Sequence, residues 1–282
     1  MTGALDIKVR LSGSDCGGGW VEVGMLRSRL SSVPLVSAPF VAGLLIVSST
    51  FASAGEARGL IELFTSQGCS SCPAADKLLG ELAADPSLVA LSVPIDYWDY
   101  LGWKDTLASS AHSARQRAYA KVRGDREVYT PQIVVNGATH VLGSDHGAVE
   151  RAITVTDRNT TVMSVPVVLS LSANALNIDL SSLKDRGGGE VWLCPLTRAV
   201  GVEIGRGENR GRTVTYHNVV RRWLKLGDFA GTEAAWKVPL SDIMSDDIDA
   251  AAVMVQQGTR DKPGIVLGAA FTPVPRQTSL VH

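Results

Sequence analysis

The chain has 282 residues, 45% of them apolar and 20% charged, which suffices for one large or two ordinary globular domains and argues against disorder. Its formal net charge of -1 gives no positive surplus that would attract a phosphate backbone, so nucleic acid is not an expected partner. Residues 115–126 are locally basic, and we interpret them as a solvated helix face.

Residues 1–54 are predicted to be an N-terminal extension and signal peptide. A basic stretch precedes an interrupted apolar segment at residues 33–47, and residues 52–54 form an A-x-A cleavage signal. The apolar segment is shorter than the ~20 residues of a membrane-spanning helix, so we expect cleavage near Ala54 and no stable membrane span. Met25 is then a candidate start, with an extended leader as the alternative. The mature protein is expected to be periplasmic or secreted.

The first elements of the mature chain follow a strand, helix, strand order. Residues 60–64 read as a strand, a helix of about a dozen residues ends near residue 85, and a second strand spans residues 88–95. The crossover makes the two strands parallel, so both end at the same edge of the sheet.

A helix is predicted at residues 106–123 from its apolar spacing. A strand from residue 128 ends in Asn136-Gly137, which is the strongest short signal of a β-hairpin. The return strand spans residues 139–142, and a capped helix then continues to about residue 154.

Beyond residue 160 the pattern changes to alternation of apolar and polar residues, typical of an all-β sandwich-like domain. The predicted strands are residues 165–171, 175–180, 190–196, 200–204, 212–220, 236–240, 251–256 and 265–270.

The main candidate site is the motif Cys69-Ser70-Ser71-Cys72 between the first strand and its helix. A helix N-terminus stabilises a thiolate, so Cys69, placed in the first helical turn, is predicted to be the exposed attacking thiol. Cys72, one turn further, is close enough to form a disulfide with Cys69 and to act as the resolving thiol. Pro73 is tolerated because the first turn has no N–H bond to lose.

The same spacing also serves as half of a zinc or copper site, so metal binding by these cysteines stays open as an alternative. A structural disulfide in a non-enzymatic binding module is the third possibility. Cys16 leaves with the leader, and Cys194 lies in an apolar run where a buried inert thiol is favoured over a ligand. The leading hypothesis uses no cofactor and no metal.

Thr130-Pro131 supports exchange chemistry over metal binding. Thioredoxin-type folds place a cis-proline opposite the dithiol, at the start of the strand after the second helix, and Pro131 stands in that order. The backbone of Thr130 would then pair with an extended substrate. Tyr97 and Trp98 belong to an aromatic cluster that forms either a lid core or a substrate groove.

Glu62 lies on the strand that leads to the dithiol. On a covered central strand its carboxyl would be desolvated and its pKa raised, which suits a group that takes the proton of Cys72. The alternative is an edge-facing glutamate paired with a lysine.

Several segments carry a resemblance to a known family. They are Leu60-Ile61-Glu62-Leu63-Phe64-Thr65-Ser66-Gln67-Gly68-Cys69-Ser70-Ser71-Cys72-Pro73, Asp96-Tyr97-Trp98-Asp99-Tyr100-Leu101-Gly102-Trp103-Lys104-Asp105, Tyr129-Thr130-Pro131-Gln132, Gly207-Glu208-Asn209-Arg210-Gly211-Arg212 and Thr215-Tyr216-His217-Asn218-Val219-Val220. Over roughly residues 59–272 the chain resembles the exported, thioredoxin-like bacterial proteins of the domain of unknown function 1223 family.

The resemblance implies a thioredoxin-like α/β domain (βαβ…ββα with a helical insertion), which we place at residues 55–158. An all-β sandwich-like domain follows at residues 159–282. Glu208, Asn209 and His217 in that domain are interpreted as a turn and a surface histidine.

The function predicted from these features is that of an exported thiol-disulfide oxidoreductase acting on protein disulfides. Its partners would be protein thiol or disulfide substrates and a further redox partner.

Overall fold

Strands and helices alternate along residues 57–182 and 187–276, the part of the chain that the computed structural model describes. The predicted signal peptide, Ala54 and Cys16 lie outside these residues. The helices are α1 (Cys72–Leu82), α2 (Ser110–Arg123), α3 (His146–Asp157) and α4 (Leu240–Ile243), with a 3-10 helix at Asp99–Leu101. None of the described helices is long and apolar enough to cross a membrane.

The strands of the first half are β1 (Gly59–Thr65), β2 (Leu88–Pro94), β3 (Gln132–Val135) and β4 (Thr139–Leu142). Those of the second half are β5 (Val167–Ser172), β6 (Ala175–Leu180), β7 (Gly189–Glu203), β8 (Thr213–Val220), β9 (Leu224–Phe229), β10 (Ala234–Pro239), β11 (Ala250–Thr259) and β12 (Lys262–Pro273).

The local signals of the first half are confirmed. β1 and β2 pair in parallel around α1, as the βαβ order predicts. β3 and β4 pair antiparallel across Asn136 and Gly137, whose φ angles of 53° and 65° are those of a tight hairpin turn. Asp145 caps α3 by accepting the N–H of Ala148 at 2.9 Å.

Several predicted boundaries are wrong. α2 begins at Ser110, not at residue 106, because Ser109 is its cap and accepts the N–H of Ala111 at 3.2 Å. The strand predicted from residue 128 begins at Gln132. The strands predicted at residues 190–196 and 200–204 form the single strand β7, and both β9 and α4 were absent from the prediction.

The molecule is a mixed α/β structure with one large sheet and few helices. In the described chain nine strands share that sheet, in the order β12-β11-β7-β8-β2-β1-β3-β4 with β9 beside β7. A second sheet contains β10, β6 and β5. Strands from both sides of the predicted boundary at residue 158 therefore hydrogen-bond within one sheet, with β2 joined to β8 at Ser92 and Val219.

The large sheet curls around α2. The N–H of Val266 in β12 donates to the carbonyl oxygen of Asn136 in the β3–β4 turn at 2.9 Å, so the last strand returns to the side of the sheet next to β1. Tyr119 of α2 packs in the core enclosed by this curl. We call the enclosed side of the sheet the inner face.

Strand alternation divides the cores. In β1, Leu60 and Phe64 enter the inner core, whereas Ile61 and Leu63 enter an outer core covered by α1 and α3. A second outer core lies between the three-stranded sheet and strands β7, β11 and β12. Helix α1, which carries Cys72, therefore lies on the outer face of the large sheet.

Candidate functional site

Cys69 and Cys72 form a disulfide between β1 and α1, with Cα atoms 5.4 Å apart. Cys69 does not lie in the first helical turn, because α1 begins at Cys72; its N–H donates instead to the carbonyl oxygen of Ser66 at 3.1 Å. Pro73 occupies the first turn of α1, as predicted. Cys69 is 5% exposed and Cys72 0%, so Cys69 is the more accessible residue without being the exposed one that was predicted.

Side chains from two other segments hold the dithiol turn, which comprises residues 66–69. Asn209, between β7 and β8, donates from Nδ2 to the carbonyl oxygens of Gln67 and Cys69, at 2.9 and 2.8 Å. Asp105 accepts the N–H of Gln67 at 2.8 Å, and the indole of Trp103 donates to Gln67 Oε1 at 2.8 Å.

Asn209 lies in a turn, as predicted, but its side chain is buried, with only 1% of the residue exposed. Its side-chain amide donates hydrogen bonds to two backbone carbonyl oxygens of the dithiol turn. The sequence signal for this role is weak, since an asparagine in a Gly-rich stretch is typical of an ordinary turn. Both halves of the chain therefore build the dithiol turn.

Trp98 connects this turn with Thr130. Its Nε1 donates to Thr130 Oγ1 at 2.8 Å, and its Cβ lies 3.1 Å from where a side chain at Gly68 would begin. The Thr130–Pro131 peptide bond is cis. Of the predicted site residues, Trp98 thus lies beside the residue that precedes Cys69, and Thr130 is bonded to Trp98.

Pro131 lies beside the helix that carries Cys72. A Cβ atom placed on Gly143 would lie 3.1 Å from Pro131 Cβ and 3.3 Å from Ala75 Cβ, near the start of α1. Only a glycine leaves room for this close approach.

The aromatic cluster forms a partly exposed ridge at the same edge. Tyr97 and Trp98 are half-buried, whereas Tyr100 is 77% exposed and stacks on Trp98 with ring centroids 6.4 Å apart. The Tyr97 hydroxyl donates to Gln116 Oε1 at 3.1 Å. An exposed stacked ring at this edge is available to another molecule.

Glu62 is fully buried, as a position on a central strand predicts, but its partner is an arginine. Arg115 donates from Nε and Nη2 to the two carboxylate oxygens at 2.6 and 3.0 Å, and the Tyr119 hydroxyl donates at 2.6 Å. Burial by itself lowers the pKa of Arg115, yet the Glu62 carboxylate raises it above its ordinary value. Since Arg115 is 7% exposed, the interpretation of residues 115–126 as a solvated face is wrong at its first residue.

Glu62 and Cys72 lie on opposite sides of the sheet. Glu62 shares the inner face with Leu60 and Phe64 and meets α2 there, whereas α1 covers the outer face. Because the carboxylate is bonded to Arg115 and points away from α1, its position does not support the predicted role as proton acceptor for Cys72.

Asp76 is a buried carboxyl group that the prediction missed. It lies four residues after Cys72 on α1, is 1% exposed, and neither of its carboxylate oxygens has a hydrogen-bond partner in the described structure. Burial raises its pKa to about 8. The sequence carried one signal, since Asp76 interrupts an apolar helix face that includes Ala75 and Leu79.

Asp105 is the second buried carboxyl group near the dithiol turn. It is 3% exposed, and burial raises its pKa to about 6, although the N–H groups of Gln67 and Leu107 donate to it at 2.8 Å. Asp105 therefore has backbone partners, which Asp76 lacks.

Cys194 is a free, buried thiol in the inner core, and burial raises its pKa above the ordinary value. This confirms its predicted burial. Among the described residues, the one group of three side chains spaced to hold a metal ion is Asp125, Glu127 and His140, which includes neither cysteine of the dithiol. Arg123 already pairs with Asp125 at 2.8 Å.

The chain is similar to known proteins over most of its length. The sequence profile of a family described as "Protein of unknown function (DUF1223)" matches residues 60–256. The X-ray crystal structure of a protein from Agrobacterium tumefaciens matches with a TM-score of 0.71 and 31% identity, covering 81% of this chain and 99% of that one. No curated protein sequence matches.

Proposed function

Because this chain belongs to the DUF1223 family, whose description assigns no activity, we propose a function from the site itself: an exported thiol-disulfide oxidoreductase that acts on protein disulfides through Cys69 and Cys72. The observation that carries the proposal is the pairing of these cysteines at the N-terminal end of α1, with Cys69 the more accessible. Unpaired N–H groups and the positive end of the helix dipole stabilise a thiolate there.

The arrangement around the dithiol supports a thioredoxin-like active edge. Strand β1, helix α1 and strand β2 form a βαβ unit, and Pro131 opens β3 beside α1. Thr130, Tyr97 and Trp98 are the proposed substrate contacts, with the exposed ring of Tyr100 next to them. The leader at residues 1–54 supports export to the periplasm or beyond, where disulfides persist.

The proposed reaction proceeds in two exchanges. The Cys69 thiolate attacks one sulfur of a substrate disulfide, a Cys69–substrate bond forms, and the other substrate sulfur leaves as a thiolate. The Cys72 thiolate then attacks Cys69 Sγ, which forms the Cys69–Cys72 bond and releases the second substrate thiolate. The substrate gains two electrons and the protein dithiol loses two. The reverse sequence oxidises a substrate dithiol, and a second thiol or disulfide protein resets the pair.

Insulin reduction in the presence of dithiothreitol tests this proposal. We expect the mature protein to accelerate it and Cys69→Ser to lose at least ~100-fold of that rate, because the attacking thiolate is gone. Cys194→Ser is the matched control and should keep the full rate, since that thiol is buried in the inner core.

Trapping gives a second measurement of the same proposal. Cys72→Ser should accumulate mixed disulfides between Cys69 and substrates, which dithiothreitol releases. Undiminished insulin reduction by Cys69→Ser would overturn the proposal.

A further inference from the structure

Asp76 has the properties of a group placed to exchange a proton with Cys72. Residues four apart on a helix are neighbours on one face, so Asp76 lies one turn below Cys72. Both are buried, at 1% and 0% exposure, and neither Asp76 oxygen has a hydrogen-bond partner in the described structure. Burying an unpaired carboxyl group costs free energy, and groups kept at such a cost concentrate at functional sites.

The groups around Asp76 come from every element that packs on α1. From the sheet, Thr65 in β1 and Ser92 in β2 are buried, and within the described structure neither hydroxyl oxygen has a partner at hydrogen-bond distance and angle. The Thr65 hydroxyl nevertheless lies close enough to Asp76 to lower its pKa, by less than burial raises it. Each of the two residues lies two positions after an outer-core residue of its strand, Leu63 or Ala90, so both point to the face that α1 covers. Neither group titrates near neutral pH, which leaves the carboxyl group of Asp76 as the one that can give up a proton among these three.

Among the described residues, the charged and titratable groups near α1 include no cation that pairs with Asp76. Burial, and then the charges of Asp76 and Asp105, raise the pKa of Tyr216 on β8, while Asp105 in turn raises that of Asp76. His217 packs against Gly80, one turn further along α1. The remaining charged residues of the helix, Lys77 and Glu81, pair with each other at 3.9 Å on its solvent side.

We propose that Asp76 is the proton donor and acceptor for Cys72 during thiol-disulfide exchange. This assignment rests on the proposed function. When a substrate thiolate attacks Cys69 Sγ, the Cys69–Cys72 bond breaks and its electron pair leaves on Cys72 Sγ. The proton of the Asp76 carboxyl group neutralises that thiolate, which leaves an Asp76 carboxylate and a Cys72 thiol.

The reverse step uses the same proton. The Asp76 carboxylate takes the proton from the Cys72 thiol while Cys72 Sγ attacks Cys69 Sγ of the mixed disulfide. The Cys69–Cys72 bond forms, and the substrate sulfur leaves with the electron pair of the broken bond. Because the proton passes between the two groups, Cys72 is not left as a buried thiolate when the disulfide opens.

The rate of disulfide opening tests the assignment. We would mix oxidised protein with excess dithiothreitol between pH 5 and 10, follow tryptophan fluorescence, and divide each rate by the concentration of attacking thiolate. The rate per thiolate should fall above pH ~8, where Asp76 loses its proton. Asp76→Asn should be slower by about 100-fold at pH 7 and show no such fall, because general acid catalysis is lost.

Two further variants separate this role from a structural one. Asp76→Glu should restore the pH-dependent fall, because it returns a carboxyl group to the same helix face. Asp157→Asn removes an exposed carboxyl group at the end of α3 and should leave rate and profile unchanged. Infrared difference spectra of reduced minus oxidised protein at pH 7 should show a shifted band of the protonated carboxyl group in the wild type and no such change in Asp76→Asn.

The outcomes distinguish the two proposals. Insulin reduction that needs Cys69 but proceeds in Asp76→Asn with the wild-type rate and pH profile overturns the assignment of Asp76 alone. If the wild-type protein fails to reduce insulin while the opening of its disulfide still requires Asp76, the proposed function is wrong and the proton assignment stands.

Discussion

Two buried carboxyl groups, Glu62 on β1 and Asp76 on α1, differ in their hydrogen-bond partners. Glu62 forms two hydrogen bonds with Arg115 and one with Tyr119, whereas both oxygens of Asp76 lack partners. The sequence predicted the burial of Glu62 from its central strand, but it could not show which sheet face α1 covers. The sequence did not single out Asp76, because one acidic residue in an amphipathic helix is usually solvated.

The buried Asp76 makes the stability of the oxidised protein depend on pH. Burial raises its pKa to about 8 in the folded state from an ordinary value of 3.8, so between these values the folded protein holds a proton that the unfolded chain has released. Stability therefore falls as pH rises through this window, by up to ~1.4 kcal/mol for each pH unit from this one group.

Asp76→Asn should remove that contribution. We expect urea unfolding of the oxidised variant to show greater stability than the wild type at pH 8, by about 2 kcal/mol or more, and a smaller difference at pH 5. Asp157→Asn should follow the wild type at both values. A difference between Asp76→Asn and the wild type that is equal at the two pH values would contradict the raised pKa.

At the scale of elements, the sequence predicted the features that depend on a few neighbouring residues. The Asn136-Gly137 turn, the proline in the first turn of α1 and the βαβ order were all predicted, because each depends on a few neighbouring residues. β7 was predicted as two strands, because its pattern breaks at exposed Arg198 and Ala199, where hydrogen bonding to β8 keeps the strand continuous. The contact of Asn209 with the dithiol turn joins residues 140 positions apart, which no local pattern reports.

The packing of α1 on β8 gives a prediction at this scale. A Cβ atom on Gly80 would lie 2.7 Å from Cδ2 of His217, so Gly80→Ala must displace the imidazole ring. We expect a loss of about 1–2 kcal/mol in the free energy of unfolding, although alanine favours helix by ~1 kcal/mol over glycine. Denaturant unfolding measures it.

Matched variants make this test specific. His217→Ala in the same chain should relieve the clash, so that the double variant is more stable than the sum of the single changes predicts. A Cβ atom at Gly147 in α3 would lie 3.1 Å from the flexible end of Arg151 and 3.5 Å from Asp145 Oδ1, so Gly147→Ala should be close to neutral. Equal effects of Gly80→Ala and Gly147→Ala would show that the contact with His217 is unimportant.

At the scale of the molecule, one sheet and one buried polar network join the two halves. Arg115 of α2 bonds both Glu62 in β1 and Gln256 in β11, at 2.6 and 2.9 Å. Gln256 also donates to the Tyr119 hydroxyl at 2.7 Å. The division predicted at residue 158 rested on a change of periodicity along the chain, which reports the kind of element and not which strands pair.

We therefore expect residues 57–276 to unfold as one cooperative unit. Hydrogen exchange followed by mass spectrometry at increasing urea should show that β1 and β11 lose protection together, because breaking the shared network exposes both. Separate transitions for residues 55–158 and 159–276 would instead favour two independently stable domains.

The position of Asn209 and β8 late in the chain also orders events during synthesis. Both cysteines, α1 and β2 precede residue 209 in the chain, so the carbonyl oxygens of Gln67 and Cys69 lack their bonds to Asn209 until that later segment docks. Tyr216 arrives later still, so the α1 face that carries Asp76 lacks its neighbours on β8 until then. A chain arrested before β8 would thus carry the complete cysteine motif in an incomplete environment.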